Sequence, residues 1–215
     1  MHLKRQESPK GWPLYRKGTK YIVRPNSGIQ KGIPVLVVLR DLLKIAQNRK
    51  EVKRAIHMKN ILINNKPVRD EKNSIFLFDT INIIPLKKSY RLEILNNGKM
   101  GVKEIKENES NYKIVKVTNK KMLRGKKMQL NMSDGRNFLS DIGCETNDSV
   151  LINFNDKKIE KCIPLKEDTE VFIFAGKHAG RKGNLIKIDK NKKMAEVNID
   201  KKHVNVLIKQ LMAIK

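Results

Sequence analysis

Hydrophobic and polar positions divide the chain into two helical stretches near its start and a long succession of short strands after them. Following Ile33-Pro34, apolar side chains recur at positions 35, 36, 39, 42, 43 and 46, which is one face of a helix. Proline suits the first helical turn, where its missing N–H would have no partner anyway. The spacing therefore predicts a helix across VLVVLRDLLKIAQ. Asn48 can cap a second helix, with Glu51 three residues on as its reciprocal partner and Val52, Ala55 and Ile56 as its buried side. The peptide ILINNKPVRD then predicts a strand, a tight turn at Asn64-Asn65 and a return strand, because asparagine tolerates positive φ.

Beyond Leu86 the helical period disappears. YRLEIL, the turn at Asn96-Asn97-Gly98, YKIVKV, KKMQLNM and SVLINF predict a small, mostly β region reaching Leu165. SDGRNFL within it reads as a turn. Farther on, a strand from Val171 to Phe174 runs into Gly176, Gly180 and Gly183, and a second follows from Leu185 to Ile188. These three glycines, interleaved with Lys177, His178, Arg181 and Lys182, predict a loop that turns sharply and can approach a phosphate closely. Its spacing matches neither the GxGxxG of a dinucleotide site nor the GxxxxGK of a P-loop. The last stretch, HVNVLIKQLM, suits either a closing strand or a short terminal helix.

Charge changes the picture. The 215 residues carry 47 Lys and Arg against 22 Asp and Glu, a net charge of +25. Such an excess repels itself in a compact state unless an anionic partner neutralises it, and nucleic acid is the densest polyanion a cell offers. This length and balance do not suit a single large catalytic core, whereas a hydrophobic share of 39% supports packed cores of modest size. No apolar run reaches the roughly 18 residues of a membrane span, and MHLKRQESPKGWP lacks the apolar segment of a secretory signal. A soluble intracellular protein with no membrane partner is expected. Cys144 and Cys162 lie outside any CxxC pair, which favours two reduced, apolar side chains over a zinc site. His2, His57, His178 and His203 lack triad or metal spacing. No catalytic residue, metal, cofactor or small-molecule substrate is expected.

Residues 1–31 hold eight basic side chains and one acidic one, with Pro9, Pro13 and Pro25 blocking regular helix. They predict an extended basic arm, disordered in isolation, whose candidate RNA contacts are Lys4, Arg5, Lys10, Arg16, Lys17, Lys20 and Arg24. Trp12, Tyr15 and Tyr21 have too few aliphatic neighbours in the arm for a core of its own. They either stack on bases or staple the arm to a domain, and Trp12 is carried among the candidate contacts. On the helices, Arg40 and Lys44 share a polar face, while Arg49, Lys50, Lys53, Arg54 and His57 make the second helix basic on its outer side. Lys59, Lys66 and Arg69 flank the strands that follow, and Lys177, His178, Arg181 and Lys182 complete the set. Between Glu145 and Glu167 five acids meet four lysines, so this stretch is expected to face away from RNA or pack on neighbours.

Several of these segments resemble known families. RDLLKIAQNRKEVKRAIHMKNILINNKPVRD is similar to the S-four-type RNA-binding domain through Arg40, Leu42-Leu43, Ala55 and Ile61 to Val68, with Asn64 in the turn. Lys59 and Asn65 stand where that family usually has glycine. The loop from Gly176 to Gly183 resembles the KOW motif. With MHLKRQESPKGWPLYRKGTKYIVRPNSG ahead of them, the order of parts resembles the small-subunit ribosomal protein four family of the archaeal and eukaryotic type. That resemblance implies an α+β multidomain chain: a basic arm over 1–31, a small αα-plus-sheet RNA-binding domain over 32–85, a mostly β central domain over 86–165, and a KOW-type small β-barrel over 166–215. It also implies a structural constituent of the small ribosomal subunit, in the cytoplasm, held by small-subunit ribosomal RNA and neighbouring ribosomal proteins. The alternatives are a free translation or transcription factor, and an RNA-modifying enzyme, for which the chain has no room for a catalytic domain.

Overall fold

Antiparallel strand pairing organises the molecule, and helices are few. The computed structural model describes residues 2–140, 142–189, 191–200 and 202–214, with the backbone alone at Lys126. Two compact units form: Met1–Ile94 with Lys99–Asn111, and Leu95–Gly98 with Tyr112–Lys215.

In the first unit, α1 (Val35–Val37) passes directly into a π-helical turn, Val38–Leu42. The Leu43 N–H bonds to the Val38 carbonyl at 2.9 Å, and Lys44 at φ 53° ends the helix. It is shorter than the sequence predicts because it is a plug and not a surface helix. Every residue from Val35 to Leu39 is buried, so there is no one-sided stripe to extend. Leu42, Leu43 and Ala46 still pack on the core from partly buried positions.

α2 (Arg49–His57) is capped as expected, the Asn48 side chain accepting from the Glu51 N–H at 3.1 Å. The Glu51 carboxylate reaches back one residue farther than a capping box requires, to the Gln47 N–H at 2.7 Å. The helix ends in a Schellman arrangement, with Lys59 N–H on the Ile56 carbonyl at 2.9 Å and Asn60 N–H on the Ala55 carbonyl at 3.1 Å. Lys59 supplies the left-handed residue of that motif, φ 57°, where glycine would fit without strain.

The main sheet of this unit has the order Lys66–Pro67, Ile61–Ile63, Thr80–Ile83, Lys88–Ile94, Met100–Ile105. Asn64 and Asn65 make the predicted turn at φ 51° and 60°. Buried Asn64 fixes it by donating to Asp79 Oδ1 at 2.8 Å and accepting from the Thr80 N–H at 3.1 Å. Two smaller pairings, Gly32–Pro34 with Ser74–Phe76 and Leu3–Lys4 with Tyr21–Ile22, close the unit. The boundary expected at residue 86 does not coincide with these units. Lys88–Ile94 pairs with Thr80–Ile83, so the hairpin it forms with Met100–Ile105 is an extension of the first sheet.

The second unit contains two five-stranded antiparallel sheets. One has the order Asn137–Leu139, Met128–Met132, Tyr112–Met122, Ser149–Asn153, Lys158–Ile163; the other Lys202–Leu207, Met194–Ile199, Lys182–Asp189, Glu170–Ile173, Leu211–Ala213. Each has its own apolar cluster, the first around Val117, Leu130, Val150 and Ile152, the second around Val171, Ile173, Leu185 and Val197. The final stretch is both of the alternatives its pattern allows in miniature: a strand to Leu207, a 3-10 turn at Ile208–Gln210, and a closing strand. The chain is thus β-rich and multidomain, with a smaller helical share than α+β implies.

Two lysines are buried in the second unit. Lys113 pairs with Asp134 at 2.9 Å, both side chains almost fully enclosed. Burial pushes the Asp134 carboxyl up, but Lys113, a bond from the Arg136 N–H and the Arg136 guanidinium together bring it below its usual range. Lys116 donates to the carbonyls of Ile208 and Leu211, the latter at 2.8 Å, and so ties the two sheets together. Burial without a carboxylate lowers its pKa to about 8.

Two consequences are measurable. The unfolded chain binds more protons than the folded one between the lowered Lys116 pKa of about 8 and the ordinary lysine value near 10.5, so stability gains a contribution as pH rises through that window. Lys116→Met is expected to remove it, at most about 3 kcal/mol, in urea unfolding on either side of the window; equal pH slopes in both chains would contradict the burial. Lys59→Gly is expected to raise unfolding stability by about 1 kcal/mol, and a loss would show that Lys59 is not strained.

Candidate nucleic-acid interface

The arm is anchored in the first unit, which corrects the expectation of disorder. Leu3 and Trp12 are both 3% exposed and belong to the same core as Val35, Leu36 and Ile75. The Gly11 carbonyl accepts from the Met100 N–H at 2.7 Å, tying the arm to the edge strand of the sheet. Trp12 therefore acts as the staple, and its place among the candidate contacts is corrected: its ring has no free face on which a base could stack. Tyr15 and Tyr21, 71% and 48% exposed, keep their rings open to solvent.

Arg5 is also diverted inward. Its Nε and Nη1 donate to the carbonyls of Thr19 and Tyr15, each at 2.8 Å, and Nη2 to the Thr19 hydroxyl at 3.2 Å. These bonds fold residues 15–19 back over the start of the arm. The result is an open groove of about 750 Å³ walled by Lys4, Lys10, Arg16, Lys20 and Lys99 around Trp12 and Tyr15. Lys17 is exposed beside it, and the Lys20 ammonium lies 5.6 Å from the centre of the Tyr21 ring. Lys10, Arg16 and Lys17 form no ion pair with any described residue.

A second groove, about 650 Å³, gathers Arg24 from the arm, Arg40 from the π-turn and Arg49 from α2, with Tyr21 and Lys72. Arg40 forms a two-point bond with Asp41, Nε to Oδ1 and Nη2 to Oδ2 both at 2.9 Å. Arg49 is held by the buried Glu71 through Nε at 2.7 Å and a close Nη2 contact, and Lys53 stands 3.9 Å from the other carboxylate oxygen. Hydrogen bonds to these carboxylates raise both guanidinium pKa values further. Arg40 and Arg49 are thus oriented before any ligand arrives. Lys50, Lys53, Arg54 and His57 are exposed along α2 at spacings of three and four, and Lys44 and Lys59 are exposed at the two helix ends. Lys66 and Arg69 border a third groove, about 700 Å³, with Ser27 and Phe76.

The glycine loop lies in the second unit. Lys177, Arg181 and Lys182 are exposed and His178 is half-buried. Its glycines serve a different purpose from the one the spacing suggests. A Cβ on Gly180, φ 90°, would lie 2.0 Å from the Leu95 carbonyl oxygen, and one on Gly183 would lie 2.4 Å from that of Asn198. The close approach is to the chain's own backbone. The N–H groups of Ala179 and Arg181 bond to the loop carbonyls of Gly176 and His178, and that of Gly180 to Ile173 in the preceding strand, so phosphate would not meet these three amides.

The structure thus brings the arm, helix and turn candidates together around one unit, and leaves the four loop candidates on the other. Sequence reasoning missed Lys72 and Lys99, isolated lysines that only chain tracing brings to the groove walls. Both cysteines are free thiols, and burial, with Cys144 and Asp148 nearby, pushes the Cys162 thiol up to about 12. Among the described residues no three His, Cys, Asp or Glu side chains gather as a metal site.

Fold and surface define a strongly basic, β-rich protein of several modules with its cations at the rims of open grooves. Comparison with known proteins supplies the family. The description "Ribosomal family S4e" matches residues 86–159, and the RS4NT (NUC023) domain matches residues 1–28. The "Small ribosomal subunit protein eS4" of Methanocella arvoryzae is 35% identical over 190 residues, 87% of this chain and 80% of that protein. Its namesake from Nanoarchaeum equitans is 36% identical over 186 residues, 85% and 80% of the two chains. The crystal structure of the 30S ribosomal protein S4e from Thermoplasma acidophilum shares the fold, with a TM-score of 0.74 at 24% identity over 86% of this chain and 95% of that one. The chain belongs to the S4e family of ribosomal proteins.

The lone tryptophan reports directly on the arm. Its emission is expected to be blue-shifted in the free protein and unchanged on adding small-subunit ribosomal RNA, as befits a core residue. Strong quenching on RNA addition would mean that the ring leaves the core to stack.

Proposed function

We propose that this chain is a structural constituent of the small ribosomal subunit, which it joins by binding ribosomal RNA through several basic surfaces, supporting subunit assembly and translation without catalysing a reaction. The observation that carries the reading is the pairing of near full-length similarity to small-subunit proteins with open grooves lined by basic side chains. Its partners are small-subunit ribosomal RNA and neighbouring ribosomal proteins, and its place is the cytoplasm. Residues 32–85 act as an S-four-type module and 166–215 as a KOW-type module, with the arm of residues 1–31 folded against the first.

Physically, each basic surface neutralises phosphates and releases counterions, and linkage in one chain raises the effective concentration of the others. Lysine, 36 of the 47 basic residues, acts as a point charge on phosphate, so selection rests on the shape of folded RNA. The pre-oriented Arg40 and Arg49 add planar, two-pronged donors in the second groove.

The chain is expected to stay with small subunits in sedimentation at moderate salt; release into the supernatant would identify a cycling factor. Reversing Lys50, Lys53 and Arg54 to Glu is expected to weaken RNA binding steeply and to flatten its salt dependence by roughly one unit of slope per lost phosphate contact. An unchanged slope would remove the α2 face from the interface.

A further inference from the structure

An open sheet ends in two edge strands, and a bare edge is a template for a further strand. Most edges of the three five-stranded sheets are blunted. Lys66–Pro67 is a lysine and a proline, Met100–Ile105 carries Lys103 and Glu104, and Lys158–Ile163 carries Lys158 and Lys161. Lys202–Leu207 begins with Lys202 and His203, and Leu211–Ala213 is buried throughout. Among the described residues, Asn137–Leu139 alone is an edge strand of these sheets that has neither charge nor proline and still meets solvent: Asn137 is exposed and Leu139 is 61% exposed.

The backbone bonds of this strand all lie on one side. The Met132 N–H bonds to the Arg136 carbonyl at 2.9 Å and the Ser140 N–H to the Met128 carbonyl at 3.1 Å, with Phe138 opposite Leu130 between them. Bonded and non-bonded pairs alternate in an antiparallel ladder, so residues 136, 138 and 140 face Met128–Met132. The N–H and C=O groups of Asn137 and Leu139 therefore point outward. No described residue bonds to these four groups. Side chains alternate as well: Phe138 packs on the apolar cluster of its sheet, and Leu139 stands on the other face. Just beyond the strand, Ile142 is 37% exposed, its N–H bonded to the Ser140 hydroxyl at 3.0 Å.

We infer that the open edge Asn137–Leu139 takes an added strand: an extended, acidic and partly apolar segment of a neighbouring small-subunit protein. This rests on the ribosomal reading above. Backbone geometry selects protein over RNA. Two N–H and two C=O groups in alternation suit the main chain of an extended peptide, whereas phosphate could use only the donors and would set its oxygens against both carbonyls. Leu139 and Ile142 offer apolar contact to side chains of that peptide, and neither has a flat ring on which a base could stack. Charge sets the sign of the partner. Lys121 lies in the cross-strand row Lys121–Gln129–Leu139, and Lys127 precedes Met128, which is opposite Ser140. Both lysines are exposed and form no ion pair with any described residue. A second copy of this chain would bring the same lysines together across the new pair, with +25 on each chain, so the complement is a different chain that carries carboxylates.

The test uses the full chain, both free and assembled into small subunits from purified ribosomal RNA and small-subunit proteins. In the free chain, amide hydrogen exchange is expected to be fast at Asn137 and Leu139 and slow at Phe138 and Ser140. In the subunit, the two fast amides are expected to slow by at least about tenfold. Leu139→benzoylphenylalanine, photoactivated in the subunit, is expected to give an adduct with a protein peptide whose Asp and Glu outnumber its Lys and Arg. Leu139→Pro removes an outward N–H and no bond to Met128–Met132, so it is expected to abolish the slowing at Asn137 while Phe138 and Ser140 stay slow. Fast exchange at Asn137 and Leu139 of the unmodified chain in the subunit overturns the added strand. So does an adduct with nucleotides, with a basic peptide or with a second copy of this chain. If the unmodified chain does not enter small subunits at all, the ribosomal reading itself fails, an outcome distinct from entry with the edge still open.

Discussion

Like charges on one folded chain repel, and an excess of 25 positive charges is the constraint to which the architecture answers. Buried cations are matched individually: Lys113 with Asp134, Lys116 with two carbonyls. Elsewhere the excess is left at rims and tips, where water screens it and few acids compete for it. Exposed ion pairs would add little stability, whereas unpaired cations remain available to a polyanion. The same placement that limits self-repulsion in the free chain leaves its cationic surfaces open to solvent.

Short antiparallel strands suit that placement. Three modest apolar clusters, one in the first unit and two in the second, hold the backbone and leave many loops and edges for charge. The arm illustrates the division of labour. Leu3 and Trp12 lock it down, Arg5 spends its donors on folding the loop that follows, and the neighbouring lysines line the groove thus formed. In α2, the buried Glu71 orients Arg49 while the outer face stays basic.

Local rules made much of this legible in the sequence. The cap at Asn48 and the turn at Asn64-Asn65 follow from side-chain chemistry within a few residues and stand in the structure as read, while the strand after the glycine loop begins earlier than its pattern suggests, at Lys182, so that Lys182 and Gly183 belong to the strand. What local pattern could not convey depends on distant partners. The first helix is buried on all sides from Val35 to Leu39 and passes into a π-turn, which periodicity cannot show. Lys88–Ile94 reads as the start of a new domain until its pairing with Thr80–Ile83 is seen. Trp12 and Arg5 look like ligand-facing residues in a basic segment, yet one fills a core and the other binds carbonyls ten and fourteen residues away. Gly180 and Gly183 were legible as close-approach positions, but the approaching group is the chain's own backbone.

Crosslinking of this chain to ribosomal RNA in assembled small subunits, with mapping of the crosslinked peptides, tests most directly whether the positive charge is sorted onto distinct docking faces. Nucleotide adducts are expected to concentrate in the arm, on α2 and around Lys177 to Lys182, and to be sparse between Glu145 and Glu167. Adducts spread evenly over the surface, or concentrated in that mixed-charge stretch, would contradict it.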